Sequence, residues 1–274
     1  MSIGLDGRSK RLDDLLISYD SVLVAFSGGV DSAYLGWAAT RARGPRALLV
    51  TAESASYPEH HRQLARRVAR AFGFRHEVVR TREFDRPEYR ANPTNRCYYC
   101  KTELYSLLTD LARERGIAVV IDGNNADDRG DYRPGRAAAR EFGVQSPLDE
   151  AALTKGDIRK LSRRAGLPNW NEPASACLSS RIPYGSAITR DKLWAVERGE
   201  SALRAMGFRV CRVRHHEDLA RVEIGLEELD RALEPATHAR IVEALRAVGY
   251  QRVTVDPGGY RMGSLNEGIR LQPL

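Results

Sequence analysis

Long apolar runs are missing from this chain. The longest, at 22–26 and 117–121, hold about five residues, where a bilayer-spanning helix needs about 20. Met1 to Asp20 is charged and carries no apolar signal core. No membrane role and a cytoplasmic location are therefore expected. Cysteine is scarce as well, at four residues: Cys97, Cys100, Cys177 and Cys211. A cytoplasmic chain of this size has no need of two disulfides, so metal, redox or nucleophilic roles come forward. There is no Gly-x-x-x-x-Gly-Lys-Ser/Thr, which excludes a Walker-type phosphate loop. No internal repeat or low-complexity tract is visible.

What is present fits a globular protein of one large or two smaller domains. Of 274 residues, 42% are hydrophobic and 29% charged. The formal charge is +7, from 43 basic and 36 acidic side chains, most of the basic ones Arg. A basic balance suits phosphate-rich ligands, nucleotides and nucleic acids alike, and does not separate them.

The most informative stretch is Phe26-Ser27-Gly28-Gly29-Val30-Asp31-Ser32. It follows the apolar run Val22-Leu23-Val24-Ala25 and opens a segment with helical periodicity, Ala33 to Arg43. A strand, a glycine turn and a helix N-terminus make a cradle for phosphate, because glycine lets backbone approach an anion and the first helical N–H groups face it. Ser27 and Ser32 add hydroxyl donors. Ser-Gly-Gly-x-Asp-Ser resembles the PP-loop of ATP pyrophosphatases, which cleave ATP to AMP and pyrophosphate and activate a substrate oxygen as its adenylate.

Apolar runs at Val22–Phe26, Ala47–Thr51, Glu77–Val79 and Val119–Ile121 read as buried parallel strands. Helical stripes fall between them, at Pro58 to Phe72 and Lys101 to Arg115. The alternation predicts a doubly wound α/β layer, whose ligands bind at the carboxyl ends of strands. Two further strand ends carry polar runs that would rim the same crevice: Thr51-Ala52-Glu53-Ser54 and Asp122-Gly123-Asn124-Asn125-Ala126-Asp127-Asp128. Thr154, with Asp157 three residues on, reads as a helix N-cap. Pro168 to Gly185, rich in Pro, Ser, Asn and Gly, reads as a long functional loop.

Beyond it the pattern changes. A helix from about Arg190 to Met206 leads into alternating segments at Arg209–Arg214 and Leu219–Ile224, then a helix from Pro235 to Val248 and a strand at Arg252–Val255. A small α+β domain with an antiparallel sheet is expected. The domain boundaries are set at 1–185 and 186–274.

Cys97-Tyr98-Tyr99-Cys100 is a moderate signal on its own. No second pair follows at zinc-ribbon spacing, and redox chemistry uses the same spacing. Cys177 sits in Ala176-Cys177-Leu178-Ser179-Ser180-Arg181, and a neighbouring cation lowers a thiol pKa and favours the nucleophilic thiolate. With these, the ordered set Ser-Gly-Gly-Val-Asp-Ser, Thr51–Ser54, Asp122–Asp128, Ser146-Pro147-Leu148, Ala176–Arg181, Arg212-Val213-Arg214 and Ala220-Arg221-Val222-Glu223 is similar to the LarE family of ATP-dependent sulfur transferases, over about residues 20–266. That family acts in biosynthesis of the nickel-pincer nucleotide cofactor of lactate racemase.

The resemblance implies a substrate, pyridinium-3,5-biscarboxylic acid mononucleotide. ATP would adenylate each carboxylate in turn, release pyrophosphate, and let sulfur displace AMP to give a thiocarboxylate. Ser27, Gly28, Gly29, Asp31 and Ser32 would hold the phosphates, with Mg2+ screening their charge, and Glu53, Asn124 and Asp128 would complete the ATP site. Arg212 and Arg214 would share one strand face and clamp the substrate's phosphate; Ser180, Arg181, Glu200 and Glu223 would join them. In one version of the family the cysteine matching Cys177 donates its own sulfur and becomes dehydroalanine. In another, three cysteines hold a [4Fe–4S] cluster with one open iron that carries the transferred sulfide. Cys97, Cys100 and Cys177 match the second pattern, and Cys211 reads as structural. The family further implies a homo-oligomer, and the sulfide donor is not indicated.

Three rivals remain at this stage. A PP-loop enzyme of tRNA thiolation would carry an RNA-binding appendage or a second cysteine pair; neither is evident, so nucleic acid is not the expected partner. An ammonia-dependent ligase would show an N-terminal Cys or a glutaminase domain. A nucleotide sensor without turnover would leave the Cys177 segment without a role.

Overall fold

The computed structural model describes residues 4–130, 134–173 and 176–261. The chain begins with α1 (Leu5–Ser18), β1 (Val22–Ala25), α2 (Val30–Arg43), β2 (Ala47–Glu53), α3 (Glu59–Ala71) and β3 (His76–Arg80). It continues with α4 (Pro87–Arg90), α5 (Arg96–Glu114), β4 (Val119–Ile121), α6 (Gly135–Glu141), α7 (Pro147–Glu150) and α8 (Lys155–Arg164). The last part holds α9 (Arg190–Ala205), β5 (Cys211–His216), β6 (Leu219–Ile224), α10 (Leu229–Leu233), α11 (Pro235–Ala247) and β7 (Arg252–Val255).

The first sheet is parallel, in the order β3-β2-β1-β4. Residues alternate faces along a strand, and the sequence uses both faces for apolar side chains. Val22, Val24 and Leu49 pack with α1, α2, α3 and α8, while Leu23, Leu48 and Val50 pack with α5 and α6. Helices therefore cover both faces, the expected doubly wound layer. The chain leaves β1 toward β2 on one side and returns to β4 on the other. Strand order reverses beside β1, which opens a crevice at its carboxyl end. Residues 26–32 lie there.

Local chemistry sets the helix starts that frame this crevice. Thr154 Oγ1 accepts from Asp157 N at 3.2 Å while Thr154 N donates to Asp157 Oδ2 at 3.1 Å, the capping box read from the sequence. Arg8 Nη2 donates to the same carboxylate at 2.8 Å and ties α1 to α8. Helix α1 was not foreseen; its charged surface hides a stripe through Leu12 and Leu16, both fully buried.

The second sheet runs β5-β6-β7 over its own core of Cys211, Val213, Val222, Ile224, Ile241 and Leu245. It corrects the expectation of an antiparallel sheet. β5 and β6 form the antiparallel hairpin, but β7 joins β6 in parallel, because α11 carries the chain back before it pairs. Two other local expectations change. Cys97 and Cys100 lie inside the first turns of α5, which starts at Arg96 rather than Lys101. The segment after Pro168 is no open loop: Leu178–Arg181 forms a 3-10 turn with Leu178, Ser179 and Arg181 buried. Tyr89, Leu178, Ile182, Ile188, Leu193 and Val196 make a small apolar cluster around that turn.

Candidate active site

The segment after β1 is locked in an open cradle. Phe26 N donates to Val50 O at 2.9 Å, which carries the sheet ladder to the strand's end. Ser27 N donates to Ser32 Oγ at 3.2 Å, and the Ser27 and Ser32 hydroxyls lie 3.1 Å apart. Gly28 has φ +69°, and a Cβ there would meet the backbone of Ala65 in α3 at 2.7 Å. Glycine is needed twice over, for its left-handed conformation and for its lack of a side chain. The Gly28 carbonyl accepts from Asn169 Nδ2 at 2.7 Å, and the Ser27 carbonyl accepts from Tyr57 OH at 2.8 Å. Gly29 caps α2, and among the described residues no side chain caps the first-turn N–H groups. Those donors and the positive end of the helix dipole face the crevice, as an anion site requires.

Carboxylates collect beside it. Asp31 accepts from Asn125 Nδ2 at 3.1 Å. Burial, and then the charge of Asp128, push the Asp31 carboxyl up to about 6. Asp128 is buried, pairs with Lys155 Nζ at 3.2 Å and accepts from Asn125 N at 3.1 Å. Asn124 turns back on Asp122, donating from Nδ2 to Oδ2 at 2.6 Å, and Asp122 also accepts from Tyr105 OH at 2.6 Å and Ser146 Oγ at 2.8 Å. Asp122 thus organises the turn, and Asn124 is part of that scaffold. Glu53 ends β2 with its carboxylate on Arg66 Nη2 at 2.7 Å.

The three cysteines share one cleft. Cys97 is exposed, and Cys100 and Cys177 are half-buried. Cys97 presents surface to solvent, yet desolvation of its sulfur among neighbouring groups pushes the thiol up, as burial does for Cys100; Glu83 adds to the shift at Cys100 and Cys177 to both, while Arg96 opposes it at Cys97. Arg96 is buried and donates to the Ser179 carbonyl at 3.0 Å and to Asn92 Oδ1. It is the residue that sequence reasoning missed, although it stands directly before Cys97. Tyr89 closes the cleft, its hydroxyl 2.5 Å from Ser179 Oγ. Leu178 N donates to Ser56 O at 2.8 Å, which docks the Cys177 turn against the entrance of α3. Cys211 is fully buried on the opposite, apolar face of β5, as the structural reading expects.

The charged residues after the turn form a buried network. Arg181 bonds Glu200 twice, Nε to Oε1 at 2.7 Å and Nη2 to Oε2 at 3.1 Å. Its Nη1 donates to the carbonyls of Ala176 and Cys177 and to Ser180 Oγ, so the guanidinium grips the backbone of the cysteine turn. Arg214 donates from Nε and Nη2 to Glu223 Oε2 at 2.9 and 2.7 Å, and from Nη1 to Ser180 O at 3.0 Å. Arg212 donates to Cys211 O at 2.7 Å and lies over the Tyr260 ring. Burial, and then Arg181, pull its pKa down. Arg212 and Arg214 do share one face of β5, and that face is buried against the Cys177 turn rather than solvated.

This chain is similar to several known proteins. A family model described as asparagine synthase matches residues 12–223. The chain is 36% identical to the pyridinium-3,5-bisthiocarboxylic acid mononucleotide synthase of Lactiplantibacillus plantarum, over 90% of each chain. It is 41% identical to an uncharacterised protein of Synechocystis sp., over 96% of this chain and 98% of that one. A tRNA(Ile)-lysidine synthase of Bradyrhizobium sp. is 29% identical over 63% of this chain and half of its own length. A parallel sheet ending in Ser-Gly-Gly-Val-Asp-Ser, a cysteine turn gripped by arginine, and near full-length identity to that synthase place this chain in the LarE family of PP-loop, ATP-dependent sulfur transferases.

Proposed function

We propose that this enzyme adenylates the carboxylates of pyridinium-3,5-biscarboxylic acid mononucleotide and converts them to thiocarboxylates, with Cys97, Cys100 and Cys177 serving the sulfur. The observation that carries the reading is that Cys97, in the first turn of α5, and Cys177, on a turn docked to the entrance of α3, both lie close to the buried Arg96, with Cys100 one helical turn on from Cys97 and α3 packed against Gly28. A carboxylate is a poor electrophile, so activation by ATP must precede attack by sulfur. The Ser27–Ser32 cradle and the α2 N-terminus would take the phosphate oxygens and stabilise charge on departing pyrophosphate. Asp31 and Asp128 would hold Mg2+; a buried carboxyl pushed toward neutrality fits a site that gains a cation. Arg212, Arg214 and Ser180 would receive the nucleotide's phosphate, with Glu200 and Glu223 fixing the guanidiniums.

The donor set fits a [4Fe–4S] cluster. Three thiols are close enough to feel one another's charge, yet among the described residues they do not converge within 4.8 Å as the ligands of a single ion would. The fourth cysteine faces away, which leaves three thiolates. When bound, the cluster would supply a sulfide for transfer. The protein's own part is to hold the thiols with Arg96 and Arg181 and to shield the adenylate from water. Residues 1–185 would form the ATP domain and 186–274, together with Ser180 and Arg181 from the first, the substrate site, and copies of the chain would associate.

Iron and sulfide analysis after anaerobic purification tests this, together with turnover on ATP and the pyridinium substrate followed by pyrophosphate release and product mass. About four irons per chain, lost in Cys97→Ala, with unmodified Cys177 after turnover, is the expected result. An iron-free protein after reconstitution that loses H2S from Cys177 during turnover overturns the cluster and assigns Cys177 as the sacrificial donor. No pyrophosphate release would sink the adenylation step itself.

A further inference from the structure

One cavity outside the cradle and the cysteine cleft gathers ligating side chains. It has a volume of about 340 Å3 and lies between the start of α3, the segment that leads to Cys177, and the region joining α9 to β5. His60 and His61 project from α3, and Glu172 meets them from the cysteine side. One ligand atom from each of the three lies within 4.8 Å of the other two. His60 Nε2 and Glu172 Oε1 are 2.9 Å apart.

We propose that His60, His61 and Glu172 bind one divalent first-row transition-metal ion, with zinc the best-fitting example, and that the ion fastens the segment before Cys177 to helix α3. Two imidazoles and a carboxylate are a borderline ligand set of the kind zinc takes. All three line the cavity, His61 buried and His60 and Glu172 half-buried, so the set combines a fixed inner ligand with an open path for entry. The backbone behind the ligands is held. Arg159 Nη2 donates to the Glu172 carbonyl at 2.7 Å and Arg209 Nη2 to the Asn171 carbonyl at 2.5 Å. These contacts fix the backbone that carries Glu172. Arg204, Arg209 and Arg212 line the same cavity and oppose a bare cation, so the fourth position takes an oxyanion or hydroxide.

The placement gives the ion a task. Asn169 reaches the Gly28 carbonyl, Glu172 meets His60, and Leu178 N bonds Ser56 O. The segment carrying Cys177 is thus stitched along the entrance of α3, and the metal would cross-link its middle stitch. This site is independent of how sulfur is supplied.

Cobalt distinguishes it from the cysteines, because thiolate–Co2+ pairs absorb strongly in the near ultraviolet and imidazole–carboxylate sites do not. The full chain, treated with chelator, is titrated with Co2+ and then Zn2+, with and without inorganic phosphate, and folding of each variant is checked by circular dichroism. One equivalent should bind without a thiolate band, more tightly with phosphate. His60→Gln and Glu172→Gln should each weaken it at least tenfold, and Cys97→Ser should leave it unchanged. Zn2+ should also slow proteolysis between residues 169 and 178 in the parent but not in Glu172→Gln. Binding lost in Cys97→Ser and kept in His60→Gln overturns the site, as does the absence of saturable binding. Binding without protease protection overturns the fastening role.

Discussion

Arg181 and Glu200 join the cysteine turn to α9 by a two-bond ion pair in which the side chains are 1% and 0% exposed. Breaking a buried pair from one side leaves an uncompensated charge, at a cost of about 3–5 kcal/mol. Glu200→Ala should lower the unfolding free energy measured by urea titration by that much, and Arg181→Leu by a similar amount. The double substitution Arg181→Leu/Glu200→Leu should cost less than the sum of the two singles. Equal costs for the double and the sum would show that the pair is not coupled.

The same pair sets acid sensitivity. Burial opposes the Glu200 charge, but Arg181, Arg212 and Arg204 together outweigh it and hold the carboxyl at about 2. A depressed carboxyl gives stability that is complete above its unfolded pKa and fades as pH falls toward the folded one. Stability should therefore decline between about pH 4.5 and pH 2, and the decline should be shallower in Glu200→Gln. Unfolding followed at fixed urea across that range measures it.

Asp31 behaves in the opposite sense. Its carboxyl, raised to about 6, binds more protons folded than unfolded, so ionising it costs stability as pH rises from about 4 to 6. Asp31→Asn should raise the melting temperature of the nucleotide-free protein at pH 8, by the equivalent of about 1–2 kcal/mol, while reducing pyrophosphate release at least a hundredfold. A variant no more stable than the parent would show that Asp31 is compensated without a cation.

Gly28→Ala places a Cβ 2.7 Å from Ala65 backbone in a left-handed conformation. The strain should cost about 1–3 kcal/mol, and α3 must shift to accommodate it. ATP affinity, followed by nucleotide-dependent melting, should fall far more than affinity for the pyridinium substrate.

Arg96 lowers the Cys97 thiol against the burial that raises it. Arg96→Met should shift the pH profile of Cys97 alkylation upward. Arg96→Lys should recover most of that shift but not the bonds to Asn92 and the Ser179 carbonyl. An unchanged profile in both variants would remove Arg96 from the thiol's environment.

The parallel sheet, the glycine turn and the Thr154 cap were legible because each is written in contiguous residues. The apolar runs at β1, β2 and β4 mark strands buried on both faces, and Ser-Gly-Gly-Val-Asp-Ser needs only its own neighbours to be read. Interactions across the chain were not legible. The run Pro168 to Gly185 looks like a polar loop, yet Arg181 is buried because Glu200, 19 residues on, neutralises it. The strand at Arg252 gives no sign of whether it pairs parallel or antiparallel, since direction depends on where α11 delivers it. His60 and His61 on an exposed-looking helix gained meaning only when Glu172 was seen opposite them.

The charges packed around the cysteine turn do not cancel. Arg96, Arg181, Arg212 and Arg214 are buried there, against Glu83, Glu200 and Glu223 among the described residues. Screening by dissolved ions reaches such groups poorly. The enclosure thus holds one more buried cation than buried carboxylate, a surplus that ionic strength reaches poorly and that an entering phosphate or carboxylate would offset. Anions would be concentrated here before any specific contact forms, and raising the salt concentration should weaken that preference far less than it would on an open surface.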